Sequence, residues 1–117
     1  MLQTKLKVLR DALVGVSKKV KVFHYWRPNL KPPFIIWQED GESDSLHSNN
    51  RKSEQGVHGT VDFYKKEEYD EIFDSIQATL DELYMEGFSF RWESTDYEDE
   101  TGLIHHSWDW WLRYGKI

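Results

Sequence analysis

From Leu103 to Leu112 the chain reads Leu-Ile-His-His-Ser-Trp-Asp-Trp-Trp-Leu, and this run limits the possible folds more than any other. Its large residues recur with a period of two, the repeat of a β-strand. Ile104, His106, Trp108, Trp110 and Leu112 fall on one face, and Leu103, His105, Ser107, Asp109 and Trp111 on the other. A face carrying two tryptophans, an isoleucine and a leucine has to be covered, and amphipathic helices are an ordinary cover for a sheet.

The chain offers two such helices. Leu2, Leu6, Leu9, Leu13 and Val16 repeat at helical spacing, which predicts a helix ending near residue 15 or 16, where Gly15 and Ser17 weaken it. Tyr69, Ile72, Phe73, Ile76, Leu80, Leu83 and Tyr84 form a second stripe. Glu67, Glu68, Asp70 and Glu71 crowd its start, where negative charge suits the helix dipole, and Gly87 stands where a left-handed cap belongs.

Between them lie period-two segments. Val20, Val22, His24 and Trp26 alternate with Lys21, Phe23 and Tyr25, and Pro28, Pro32 and Pro33 end that strand. Phe34 to Trp37 reads as a short strand buried on both faces. Val57, Gly59, Val61 and Phe63 make a third, and Phe88, Phe90 and Trp92 pair with the tryptophan run across a DYEDETG hairpin connection. The expected fold is α+β, one domain over residues 1–117, in the order α-β-β-β-α-β-β. It places two helices on one face of a mainly antiparallel sheet. Residues 39–55 hold almost nothing apolar except Leu46 and read as a long polar loop.

Absence of cysteine excludes disulfides, zinc–thiolate sites and thiol chemistry. The charged first residues do not look like a secretory signal, and no run approaches a membrane span, so a soluble, unexported chain is expected. A net charge of −6 argues against a dedicated nucleic-acid binder. The signs are unevenly spread: lysine and arginine concentrate in residues 5–31, and five acids fall in residues 93–100.

No chemistry-bearing pattern emerges. His105 and His106 point to opposite faces of their strand, His24, His47 and His58 lie on other segments, and no HExxH or HxH occurs. The acids around Gly41 (Glu39, Asp40, Glu42, Asp44) lack the calcium-loop register. Glu93, Asp96, Glu98, Asp99 and Glu100 sit mostly in one turn, unlike a two-metal site. Nucleophile-elbow, phosphate-loop and dinucleotide patterns are missing. The expectation is a protein with no catalytic residues, metal or cofactor. Six tryptophans suggest instead that some are covered by another subunit, with Trp111 on the mixed face as the best interface anchor.

Two stretches, FIIWQEDGESDSLHSNNRKSEQGVHGTVDFYKKEEYDEIFDSIQATLDE (34–82) and YEDETGLIHHSWDW (97–110), resemble small tail-module proteins of phages and prophages of Gram-positive bacteria. Those are tail-completion or tail-terminator proteins. The resemblance implies a structural role in the virion tail after assembly in the host cytoplasm. It implies a ring, usually hexameric, that caps the tail tube and meets the head, with itself, the tail-tube protein and head–tail connectors as partners. It also implies that the 39–55 segment reaches toward a neighbour, through Leu46, His47, Asn49, Asn50 and Arg51. A head-to-tail ring would set Lys18, Lys19, Lys21 and Arg27 of one copy against Asp96, Glu98, Asp99 and Glu100 of the next. Two alternatives remain: a neck protein joining head to tail, and a ligand-binding domain or enzyme with an aromatic pocket of Trp26, Trp37 and Trp92.

Overall fold

The computed structural model describes residues 2–27, 29, 31–42, 47–48, 51–52 and 54–116. Helix α1 (Leu2–Val14) buries Leu6, Leu9 and Leu13, one face of the leucine stripe. Strand β1 (Lys21–His24) is shorter than its alternation suggested, because Tyr25 leaves the sheet with a φ of +79°. β2 (Phe34–Glu42) starts with four buried residues and continues well past Trp37. Two small strands, β3 (His47–Ser48) and β4 (Arg51–Lys52), pair with each other before β5 (Glu54–Lys65).

Helix α2 (Glu71–Glu82) starts at Asp70, whose carboxylate accepts from the N–H groups of Ile72 and Phe73. Of the acids expected in its first turns, Glu67 and Glu68 precede the helix and Asp70 caps it. A 3-10 turn (Leu83–Glu86) follows and closes on Gly87 at φ +94°, the left-handed cap its sequence position implied. β6 (Phe88–Glu98) and β7 (Leu103–Lys116) form the final hairpin, turning through Gly102 at φ +70°.

The five long strands form one sheet in the order β1-β2-β5-β7-β6. Every pairing is antiparallel except β1 with β2. This is the expected α+β class with its α-β-β-β-α-β-β order, the small β3–β4 pair being an addition. Both helices pack on one face: Leu6, Leu9 and Leu13 from α1 and Ile76 and Leu80 from α2 meet Ile35, Trp37, Val61, Phe63, Trp108 and Trp110 in one core cluster. Gly59 allows this packing, because a Cβ there would overlap the Gln38 carbonyl oxygen and the Trp110 ring.

Within the segment expected to be a 17-residue loop, residues 39–42 continue β2, 54–55 open β5 and β3 pairs with β4; its other positions lie outside the described residues. β2 runs to Glu42 and β5 begins at Glu54, whose backbone pairs with Lys116 at the far end of β7. The molecule measures 47 × 26 × 22 Å. No helix among the described residues is long and apolar enough to cross a membrane.

Candidate functional site

The sheet face opposite the helices carries a different population of side chains. The described residues between β1 and β2 (25–27, 29 and 31–33) form no helix, and Arg27 reaches across this face. At Tyr25 the chain turns off the edge, its N–H donating to the Trp37 carbonyl at 3.0 Å. The Arg27 guanidinium then lies 4.6 Å from the Tyr64 ring centroid and bonds Glu98 Oε1 at 3.0 Å. Phe34, Ile36, Tyr64 and Leu103 form a small second cluster here, with Phe23 against it.

The rings in this cluster are ordered. Phe34 stacks on Tyr64 at 5.0 Å and Tyr64 on His105 at 4.2 Å, and His105 Nε2 is 2.7 Å from the Asp62 carboxylate. Burial and the nearby Asp62 charge push the Tyr64 hydroxyl up to about 12, so it stays protonated. Burial raises the Glu98 carboxyl, but bonds from Arg27 and Thr101 outweigh it and leave the group below its ordinary value. Arg27 and Glu98 were expected to meet across two subunits; within the chain they already pair with each other. Long polar reach across a short connection explains this, and sequence distance concealed it.

Register places five side chains in one row across the sheet. Lys21 pairs with Phe34, Phe34 with Tyr64, Tyr64 with His105, and His105 with Asp96. The row starts with an exposed cation on one outer strand and ends with an exposed anion on the other. Both outer strands lack a neighbour on one side in this sheet, so each presents backbone groups without ladder partners. The edges differ in sign. Residues 1–31 contain eight lysines and arginines against one acid, and residues 32–117 contain seven against twenty, a net of +7 against −13. Lys18, Lys19 and Lys21 flank or start β1, whereas Glu93 and Asp96 lie in β6 with Asp99 and Glu100 in the turn beyond.

Trp111 sits at the other end of the open face, 36% exposed, with the Arg91 guanidinium 5.6 Å from its ring. Arg91 also reaches Glu93 at 2.8 Å and Asp109 at 3.5 Å. Burial and the adjacent Glu93 raise the Asp109 carboxyl despite Arg91. Of the residues expected to reach toward a neighbour from the 39–55 segment, Leu46, Asn49 and Asn50 lie outside the described residues; of His47 and Arg51, in β3 and β4, only the backbone is described.

The aromatic pocket expected from Trp26, Trp37 and Trp92 does not form. Trp37 is buried in β2, and Trp92 lies on β6 with β5 and β7 between them, roughly 14 Å away at ordinary strand spacing. What does form near Trp37 is a cleft of about 250 Å³ between α1 and the β1 edge, lined by Lys7, Arg10, His24, Tyr25 and Glu39 among others. His24 is stacked between Tyr25 and Trp37 at 3.6 and 3.9 Å, and Glu39 accepts from the Tyr25 hydroxyl and contacts His24 Nε2, each at 2.7 Å. This cluster fastens the turn at Tyr25, compensating for a backbone conformation unusual in a bulky residue.

Among the described residues no group of three or more acids and histidines is arranged to hold a metal ion. Compared with the family models and with the curated sequences of known proteins, the chain matches none.

Proposed function

We propose that this chain is a structural assembly protein of a long-tailed phage, a tail terminator or completion protein. Its copies join head to tail into a ring that caps the tail tube and meets the head. The observation that carries the reading is the row from Lys21 to Asp96, together with the opposite charge of the two edges it connects. Continuing the sheet from one copy to the next brings β6 beside a neighbour's β1. The strand directions make that junction antiparallel, which permits direct opposite-charge pairs. Such a contact uses two different patches of one subunit, the head-to-tail type that closes into a ring when the rotation suits. The likeness of residues 34–82 and 97–110 to phage tail-module proteins supplies the biological setting.

The test is the mass of the purified protein by light scattering, alone and with polymerised tail tubes, as salt is raised. The proposal expects a closed oligomer, in solution or on tube ends, that weakens with salt. Binding to head connectors while ignoring tube ends would move the assignment to a neck protein. A monomer indifferent to both would remove the assembly reading.

A further inference from the structure

Where residues 31–33 return to the sheet, they border an open cavity of about 470 Å³ whose lining includes Arg27, Lys31, Pro32, Phe34, Lys66 and Leu103. Phe34 and Leu103 are buried and give it an apolar floor, with Pro32 as a wall. Arg27, Lys31 and Lys66 form a cationic rim on a protein whose net charge is −6. Arg27 is held in place by Glu98 and the Tyr64 ring, whereas Lys31 and Lys66 are exposed and have no acidic partner among the described residues. Glu67, Glu68, Asp99 and Glu100 occupy adjoining turns without lining the cavity.

We infer that this cavity is a docking site for an acidic peptide segment of a partner protein, one that carries an apolar side chain among its carboxylates. The floor takes the apolar side chain. Lys31 and Lys66 meet the flanking carboxylates, with Arg27 as a fixed third cation. An apolar floor alone would not select a partner; the local reversal of charge does, because two flexible ammonium groups lacking partners favour an anion and repel a basic segment. The acids in the neighbouring turns disfavour a long polyanion such as DNA, which would have to pass over them. The site does not depend on the ring: it lies within one chain, so it can fail or stand separately from the assembly proposal.

The experiment is fluorescence anisotropy of a labelled peptide of alternating glutamate and aspartate around a single phenylalanine. It is run at about 0.15 M salt, where charges beyond roughly 8 Å are screened. Saturable binding is expected, weakened about tenfold or more by Lys31→Glu combined with Lys66→Glu. The charge-matched pair Lys7→Glu with Arg10→Glu, on the exposed side of α1 and away from the cavity, should leave it unchanged, and circular dichroism confirms that both variants fold. Replacing the peptide's phenylalanine by serine should weaken binding as well. The proposal is overturned by absence of binding, by equal losses in the two double variants, or by a serine peptide that binds as tightly. It is also overturned if inorganic phosphate displaces the peptide readily, which would indicate a bare anion site, or if single-stranded DNA of equal charge binds more tightly.

Discussion

Trp110 and Trp111 are neighbours in the chain, and the pleat sends them to opposite faces of the sheet. Trp110 is fully buried; its indole N–H donates to the Thr60 carbonyl at 3.1 Å, and its ring meets Phe88 edge-on at 5.8 Å. Trp111 keeps a third of its surface exposed beneath a single guanidinium. The covered face is therefore a packed interior in which shape decides stability. The open face is a layer of stacked rings and ion pairs in which charge and reach decide what can approach. One strand serves both, so stability and recognition are separable by substitution.

The largest expected break in that comparison is Trp110→Ala, which empties a fully buried site and should cost about 3–5 kcal/mol in urea denaturation. Trp108 makes the same point with a polar anchor, its indole N–H donating to Gln77 at 2.8 Å.

His106 gives the next largest effect. It is buried on the covered face, its Nδ1 2.7 Å from the Thr95 hydroxyl and its Nε2 without a partner among the described residues. Burial, helped by the Lys65 ammonium and opposed by Asp70, pushes its imidazole down to about 4. The unfolded chain takes up a proton near the ordinary value of 6.5 and the folded one does not. Stability is thus complete above about pH 6.5 and falls as pH drops toward 4, by on the order of 2–3 kcal/mol. Denaturation at pH 7 and pH 4.5 should show this loss, and His106→Leu should flatten it. The depressed carboxyls of Glu39 and Glu98 contribute only lower on the scale, so they do not mimic it.

On the open face, Arg27→Gln removes the Glu98 pair and the charge over Tyr64, both partly exposed. The expected loss is about 1 kcal/mol. The smallest effect is that of Trp111→Ala, below about 1 kcal/mol in monomer stability, with a larger loss in assembly read by light scattering. Equal destabilisation by the Trp110 and Trp111 substitutions would abolish the distinction between the faces.

The covered half of this picture was legible in the sequence. Helical spacing in 2–16 and 69–84, alternation in 103–112 and the glycine at 87 are local signals, and each produced the element expected. Asp70 caps the start of α2 and Gly87 closes the 3-10 turn that follows it, because capping depends on residues a few positions apart. The open half depends on long-range register, which periodicity does not encode. Nothing at Tyr25 announces a left-handed backbone, and nothing local says that β1 pairs with β2 in parallel. Arg27 and Glu98 are 71 positions apart in the chain and meet only because Arg27 reaches across the open face. Lys31 and Lys66 are likewise brought together only by the fold, and Lys21 and Asp96 share a row only once four strand pairings are fixed.

That row allows the most direct test of head-to-tail assembly. Lys21→Asp and Asp96→Lys are prepared separately and together in one chain, and the mass of each is measured by light scattering beside the unaltered protein. The account predicts that each single variant assembles poorly and that the double variant, with the charges exchanged, recovers most of the assembly. Single variants that assemble like the unaltered protein, or a double variant no better than either, would contradict it.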